Sequence, residues 1–360
     1  MFQGFLKSQT TRDLAIIGLI IGVCTALLGL VYGVTILQFL INGVITGSLF
    51  ILGATGLTLI FAIRKFANFS HGDMMTFGAY LAYFINVIVA MNIVWGFVFA
   101  AVMTAVLGII MELLVFRKLA GRGAVSMLVA SIGLAIILQN FLNVVYGTSI
   151  HTYNIQLASN IVLLVIGGIP VLSINFLRGI LPIVVAISMI ILLHLLLTRT
   201  LLGKAMRATS DNPDLARASG VRVRNVILAT WAISGAMSGI AGVLLAIFID
   251  VRPGLGFTIL LFIFAAVIVG GLGSPYGAMI GGLIVGIAIE LSAAFLAWLG
   301  RPEVVALQQP TAYRPIAAFV IMILTLLIRP QGIAGGKAIV LPTGFRRLRL
   351  RRRTEAGHRG

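Results

Sequence analysis

The amino-acid sequence predicts an all-α protein, a polytopic bundle of about ten membrane-spanning helices, and three observations carry this prediction. Of the 360 residues, 60% are hydrophobic and only 10% are charged, whereas soluble domains carry about 25% charged residues. The apolar residues form segments of the length that a helix needs to cross a bilayer core, about 20 residues. The 41 glycines are typical of transmembrane helices that approach one another closely.

Ten segments meet this length, although a count of eight to ten spans is compatible with the pattern. They are 14–33, 37–62, 72–91, 94–115, 126–146, 179–198, 226–249, 256–272, 279–299 and 314–329. The first segment is longer than the apolar core of a signal peptide, so it is predicted to be a retained helix. The second contains Asn42 and several glycines, which favour a tilted or broken helix.

The apolar run 161–174 is too short to span a bilayer. Its two halves, which are rich in branched aliphatic residues, flank Gly167 and Gly168. This pattern predicts a β-hairpin. The hairpin would belong to the longest loop outside the membrane, 147–178, on the extracytoplasmic side.

The basic residues indicate the orientation, because cytoplasmic loops carry an excess of Lys and Arg. With ten spans, one side of the membrane receives only Arg178, Arg252, Arg301 and Arg314, and every other Lys and Arg falls on the side of the two termini. Both termini are therefore predicted to be cytoplasmic. Residues 1–335 would form one transmembrane domain, with 14–33 as an additional N-terminal span, and 336–360 a basic cytoplasmic tail.

Charge and motifs exclude several classes of protein. The net charge of +17 lies in short loops and in the tail around 346–353, where it would anchor the topology and attract anionic membrane lipid rather than nucleic acid. The single cysteine, Cys24, excludes an intrachain disulfide and a cysteine metal cluster. Because no Walker A, H-E-x-x-H or G-x-S-x-G pattern is present, we expect no catalytic residues, no metal and no bound cofactor. If transport is driven by ATP, another subunit must use it.

Two acidic residues fall within predicted spans. Glu112 is close to Arg117 near the cytoplasmic edge, so it is expected to snorkel towards water. Glu290 lies in the middle of its span, where a carboxylate either lines a transport path or accepts an interhelical hydrogen bond.

The loop 199–225 is predicted to hold a short cytoplasmic helix. Asp211 or Asn212 would be the N-cap, Pro213 the first helical residue, and Asp214 would face the positive end of the helix dipole. Gly220 would end the helix. Such a helix is either an ordinary surface element or a docking helix that a cytoplasmic partner pushes.

Several motifs resemble those of the branched-chain amino-acid permeases of ABC importers. The strongest is Asn68-Phe69-Ser70-His71-Gly72-Asp73-Met74, which is similar to the N-F-(A/S)-H-G-D segment of that family. Asp214-x-Ala216-x-x-x-Gly220 resembles the E-A-A-x-x-x-G coupling loop of ABC permeases, with Asp in place of Glu. Further matches run in order from about 38 to 333, including Gly270-Gly271-Leu272-Gly273-Ser274-Pro275 and Arg329-Pro330-Gln331-Gly332.

The resemblance implies a multi-pass subunit of a prokaryotic cytoplasmic (inner) membrane that imports branched-chain amino acids by alternating access. It also implies two cytoplasmic ABC ATPase subunits docked on 199–225, a second permease subunit (a paralogue or another copy), and an extracytoplasmic solute-binding protein. A urea or short-chain amide permease shares the His-Gly-Asp segment and stays an alternative. An ion-coupled secondary transporter is a further one.

The remaining site predictions combine motif and chemistry. Asn68, Ser70, His71, Gly72 and Asp73 are expected between spans on the cytoplasmic side, where they would cap the next helix or pair with Arg64 and Lys65. Gly271, Gly273 and Pro275 would form a tight cytoplasmic turn. Because a zwitterionic substrate needs polar groups in the membrane, the most polar span supplies the path candidates: Asn42, Gly43, Thr46, Ser48 and Thr55, together with Glu290.

Overall fold

The computed structural model describes residues 9–155, 159–166, 169–301 and 310–334. Helices make up nearly all of it. Their bounds are α1 Gln9–Tyr32, α2 Ile36–Arg64, α3 His71–Tyr83, α4 Ile93–Met111, α5 Arg117–Leu119, α6 Ala124–Tyr146, α7 Leu181–Arg199, α8 Leu201–Asp211, α9 Pro213–Ala218, α10 Val223–Phe248, α11 Leu255–Gly270, α12 Pro275–Leu299 and α13 Pro315–Ile328. Short π-helical segments extend α3 (Phe84–Ile88) and α4 (Glu112–Phe116) and precede α7 (Phe176–Ile180).

Seven helical stretches in the described residues are long and apolar enough to cross a membrane. This number is lower than the ten segments predicted from the sequence for three reasons. The stretch Leu14–Arg64 is counted once, although it contains both α1 and α2, and α11 is apolar but shorter than a full span. The helix α3 is also not counted, although its π-helical extension continues it to Ile88, because His71 and Asp73 in its first turn make it less apolar than the other stretches.

A break at Gly33 separates α1 from α2. Gly33 has a φ of +58°, a backbone conformation that glycine adopts without a steric cost. The hydroxyl of Tyr32 at the end of α1 donates to the carbonyl of Ala294 near the end of α12. The chain then turns, and α2 runs back along α12.

The helix α2 lies at the centre of the bundle and packs against α12, α10, α11 and α7. Gly43 lies against Ile287 and Gly47 against Leu283, so the two helices are antiparallel and their backbones touch, as small residues allow. Of the two predicted alternatives, a tilted or a broken helix, the structure contradicts the break. The α2 helix is continuous over 29 residues, because its glycines serve close packing against neighbours instead of interrupting the helix.

The predicted β-hairpin is confirmed. Strand β1 (Ile161–Ile166) pairs with strand β2 (Ile169–Ile174) in an antiparallel arrangement, with a register irregularity between Val162 and Val165. The backbone N–H of Ser173 donates to the side chain of Gln38 in α2, so the hairpin is attached to the bundle. The connecting pair 167–168 and the basic tail 336–360 lie outside the described residues.

Candidate functional site

The segment that contains His71 and Asp73 is buried inside the bundle. Asn68, Ser70 and His71 are fully buried and Asp73 is 1% exposed, and Nε2 of His71 lies 3.0 Å from the carbonyl oxygen of Gly53. Gly53 is 11 residues before the end of α2, about 16 Å along the helix axis. Asn68 and Ser70 lie between α2 and α3, as predicted, but the segment is buried in the bundle, and the side chain of Ser70, the N-cap of α3, makes no capping hydrogen bond.

The reason for this burial is the geometry of residues 65–70. After α2 ends at Arg64, this non-helical stretch returns into the bundle, and α3 begins at His71. The side chain of Asn68 accepts hydrogen bonds from the N–H and hydroxyl of Ser70, and the N–H of Phe69 donates to Ser131 in α6. Because the side chain of Asn68 and α6 satisfy these backbone groups, irregular backbone is tolerated at this depth.

Glycines make the room for α3. A Cβ atom on Gly72 would collide with the backbone of Gly256 in α11, and one on Gly78 would collide with Gly239 in α10. The N–H of Gly256 also donates to the hydroxyl of Thr76 at 2.8 Å. The backbone of α3 is therefore in direct contact with α10 and α11.

Three polar atoms around the start of α3 have no protein partner among the described residues. They are Nδ2 of Asn68, Nδ1 of His71 and Oδ1 of Asp73. Buried polar groups are nearly always hydrogen-bonded, and each one left without a partner costs free energy. Arg64, one of the cations considered for Asp73, pairs with Glu112.

The Arg64–Glu112 ion pair was missed. The guanidinium of Arg64 donates from two nitrogens to the two carboxylate oxygens of Glu112, which begins the π-helical segment after α4. The two side chains are 12% and 2% exposed, so the expectation that Glu112 snorkels to water was wrong. The two residues are far apart in the sequence, and no local pattern could have shown that they meet.

The predicted turn between α11 and α12 is present. Gly271 and Gly273 have φ values of +110° and +85°, which glycine adopts readily. The hydroxyl of Ser274 accepts from the N–H of Gly277, and Pro275 is the first residue of α12. The N–H of Gly273 donates to the hydroxyl of Thr58 at 3.1 Å, so the turn is attached to α2.

The short helix predicted in 199–225 is also present, as α9. The side chain of Asn212 accepts from the N–H groups of Asp214 and Leu215, which makes Asn212 the N-cap, and Pro213 is the first helical residue. Asp214 pairs with Arg217 at 2.7 Å. Ala216 is buried and faces the protein, and Leu215 is 65% exposed. Gly220 follows the helix with a φ of +84°.

The helix α8 in front of α9 was not foreseen, and it connects this region to α2. The hydroxyl of Ser210 donates to the carbonyl of Ala62 at 3.0 Å. Burial lowers the pKa of Lys65, the residue after α2, whereas the nearby carboxylate of Asp211 raises it. The end of α8 thus contacts the end of the central helix through a hydrogen bond and an electrostatic attraction.

The polar side chains of the path candidates on α2 form hydrogen bonds within the bundle. Ser48 and Thr55 donate to carbonyls of their own helix, and Asn42 accepts from Gln38. The hydroxyl of Thr46 donates to Glu290 at 3.2 Å, and Glu290 also lies 3.9 Å from Arg314. Neither the cavity between α1, α12 and α13 nor the smaller one between α3, α4 and α6 is lined by these candidates.

The loop after α6 covers the outer part of α3. The hydroxyl of Tyr153 donates to the carbonyl of Ala79, and the N–H of Asn154 donates to Asn86. The rings of Tyr83 and His151 lie 4.9 Å apart. The sequence alone did not single out these aromatic residues, because aromatic side chains occur throughout the apolar segments.

The chain is similar in sequence to characterised families. The model of the branched-chain amino acid transport system permease component matches residues 39–326. The high-affinity branched-chain amino acid transport system permease protein LivH of Escherichia coli K12 is 32% identical, over 83% of this chain and 95% of that protein. The corresponding BraD protein of Pseudomonas aeruginosa is 31% identical with the same coverage.

An archaeal protein shows a comparable similarity. The probable branched-chain amino acid transport permease protein LivH of Methanocaldococcus jannaschii is 33% identical, over 82% of this chain and 91% of that protein. The match extends from α2 to α13, so it includes α3, α8, α9 and the turn 271–275. The family resemblance noted from the His-Gly-Asp segment is confirmed. The chain belongs to the family of permease components of branched-chain amino acid ABC transport systems, and it is a multi-pass transport subunit of the inner membrane and not an enzyme.

Proposed function

We propose that the chain forms half of the membrane channel of an ATP-driven importer and moves a branched-chain amino acid inwards by alternating access. It would have ten spans with both termini in the cytoplasm. It would pair with a second permease subunit, bind two cytoplasmic ABC ATPase subunits and receive substrate from an extracytoplasmic solute-binding protein. The observation that carries the proposal is the contact of α8, which directly precedes the exposed helix α9, with the end of the central helix α2.

The exposed face of α9 is suited to a protein partner. Leu215 is an exposed apolar side chain between the exposed charges of Asp214 and Arg217, an arrangement typical of the centre and rim of an interface. Ala216 on the opposite face is buried against the permease. A force applied to α9 would therefore be passed to the bundle.

The contacts behind α9 give that force a route. Asn212, the N-cap of α9, directly follows α8. The last turn of α8 carries Ser210, which is hydrogen-bonded to Ala62, and Asp211, which attracts Lys65. The turn 271–275 is attached to the same part of α2 through Thr58. Movement of α8 and of this turn would shift α2, which packs along α12 in the middle of the bundle.

The start of α3 supports a second conformation. The described conformation leaves polar atoms of Asn68, His71 and Asp73 without protein partners, which is unfavourable in a dry interior. A shift of α2 would move the carbonyl of Gly53, to which His71 is bonded. An arrangement that satisfies these atoms would then compete with the described one, as alternating access requires.

The coupling assignment is tested by Gly220→Asp. An aspartate adopts a φ of +84° less readily than glycine, and its carboxylate adds a negative charge at the C-terminal end of α9, which the helix dipole disfavours, so the end of α9 should shift. We expect the variant to insert normally but to lose most ATPase binding and ATP-dependent uptake. Gly121→Asp is the matched control, because Gly121 lies in another loop with no neighbouring atoms within 4 Å. Normal ATPase assembly and uptake in Gly220→Asp would overturn the assignment.

The substrate and energy source are tested in proteoliposomes that hold the complete transporter with its binding protein. We expect uptake of leucine, isoleucine or valine that needs ATP and survives dissipation of ion gradients. Uptake of urea or a short-chain amide instead would favour that alternative substrate. Uptake that collapses with an ion gradient and needs no ATP would support a secondary transporter.

The topology is tested separately by a reporter fused after Gly360. A reporter that folds only in the cytoplasm should be active when it is fused at this position. Activity of a periplasmic reporter at the same position would overturn the proposed orientation.

A further inference from the structure

A large groove lies between α1, α12 and α13. Its volume is about 850 Å3, and its lining is almost entirely apolar. The sides are formed by residues such as Ile16, Cys24 and Leu28 of α1, Ala288 of α12 and Leu324 of α13. A volume of this size is typical of sites that hold a whole small molecule, and an apolar lining in the membrane excludes water.

The two ends of the groove differ. At one end, Arg329 is part of the lining together with Ile16, and Arg12 stands one helical turn before Ile16 on the same face of α1. At the other end, Trp298 lines the groove. There Tyr32 is hydrogen-bonded to the end of α12, and its ring lies 5.3 Å from the guanidinium carbon of Arg301.

The end with Arg12 and Arg329 is on the side of α8 and α9. Gly332, which also lines the groove, is in contact with Gly271 of the turn between α11 and α12. That turn is bonded to the end of α2, which contacts α8. The arginines are thus at the depth of the lipid headgroups on this side.

We propose that the groove binds an anionic phospholipid of the leaflet that faces α8 and α9. One acyl chain would lie between α1 and α12, and the phosphate would meet Arg12 and Arg329. The lining of α1 extends from Ile16 to Val31, about 22 Å, which exceeds the roughly 15 Å depth of one leaflet's hydrocarbon. The groove is long enough for the chain.

Charge favours this occupant over a second copy of the permease. An acyl chain gains no hydrophobic free energy by leaving the bilayer for an apolar groove, so selectivity has to come from the headgroup. Basic residues near the surface each favour anionic lipid by about fivefold. A helix of another copy would place apolar side chains against the arginines instead.

The chain provides its own probe, because its one cysteine, Cys24, lines the groove and is exposed. The purified full-length permease is labelled at Cys24 with bimane and reconstituted in phosphatidylcholine vesicles. Equal mole fractions of a nitroxide-chain phosphatidylglycerol or a nitroxide-chain phosphatidylcholine are then added. We expect the anionic lipid to quench the fluorophore at a concentration several-fold lower than the zwitterionic one.

Two variants distinguish binding of the lipid headgroup from binding of the acyl chain. Arg329→Gln should lower the preference for the anionic lipid about fivefold, whereas Arg199→Gln, an exposed arginine at the end of α7, should leave it unchanged. Ala288→Trp should fill the groove and reduce quenching by both lipids. Val144→Trp, on an exposed face of α6, should not.

Three results would overturn the proposal. They are equal quenching by the two lipids, a preference that Arg329→Gln leaves intact, and disulfide formation between Cys24 residues of two copies in vesicles that hold the unlabelled permease. The last result would identify the groove as an interface between permease subunits. None of these measurements depends on ATPase binding, so the proposed coupling route could fail while the lipid site stands.

Discussion

The ion pair between Arg64 and Glu112 gives a quantitative prediction. The two side chains are 12% and 2% exposed and share two hydrogen bonds. Removing one partner of a buried pair costs about 3–5 kcal/mol, because the other charge is left uncompensated. We expect Glu112→Gln to cost about 3 kcal/mol, the lower end of that range, since Arg64 lies in the last turn of α2 where the helix dipole favours a cation.

The reverse change should be more damaging. In Arg64→Gln the carboxylate of Glu112 stays in an almost fully buried position, and we expect a cost near 5 kcal/mol. The double variant Arg64→Gln/Glu112→Gln removes both charges and leaves two amides that can bond to each other. Its cost should be at least about 2 kcal/mol smaller than the sum of the single variants, as for residues that share one network.

The free energies are measured by reversible unfolding of the purified permease in mixed micelles of mild detergent and SDS. Tryptophan fluorescence is a suitable signal after Trp95 and Trp298 are replaced by Phe. The remaining Trp231 is buried and stacks on Phe116 at 4.8 Å, in the π-helical segment that begins with Glu112. If the single costs add up to the double cost within about 0.5 kcal/mol, the two residues do not interact and the reasoning is refuted.

Further predictions follow from close contacts and single hydrogen bonds. Gly256→Ala should prevent folding, because its Cβ would collide with the backbone of α3. The control Gly133→Ala, which has no neighbouring atom within 4 Å, should leave the expression level and the monodispersity of the purified protein unchanged. A well-expressed, monodisperse Gly256→Ala variant would contradict the packing. Asn212→Ala should cost α9 about 1 kcal/mol and weaken ATPase co-purification, and Asn212→Asp should retain it. Thr46→Val should lower the free energy of unfolding by about 1 kcal/mol, and this effect should vanish in a Glu290→Met background, which has no acceptor, if the bond of Thr46 to that carboxylate is responsible.

The helix α9 shows what local sequence can predict. Its cap Asn212, its first residue Pro213 and its terminator Gly220 are all visible within ten positions, because helix ends are decided by neighbouring residues. The β-hairpin is a similar case, since its strands and turn adjoin each other in the chain. The positions of these elements relative to the bundle are not encoded in such patterns.

The His-Gly-Asp segment shows where sequence reasoning fails. Hydropathy places Asn68, His71 and Asp73 in water, because they are polar and lie next to Arg64 and Lys65. Their burial depends on glycines elsewhere, such as Gly56 against His71 and Gly256 against Gly72. Glu112 was misplaced for the same reason, since its partner Arg64 belongs to another helix. Contacts between distant parts of the chain decide both cases, and a single sequence does not display them.

The polar start of α3 has a consequence for how the protein is made. A helix that carries His71 and Asp73 in its first turn is a poor substrate for insertion on its own, because ionisable residues are costly in hydrocarbon. The surfaces that cover it, Gly239 in α10 and Gly256 in α11, are synthesised more than 150 residues later. Until the ribosome has synthesised α10 and α11, α3 must remain at the membrane interface or beside the insertion machinery. Truncated chains that end before α10 should therefore leave the residues of α3 accessible to water-soluble thiol reagents when a cysteine is placed there, and the full-length chain should protect the same position.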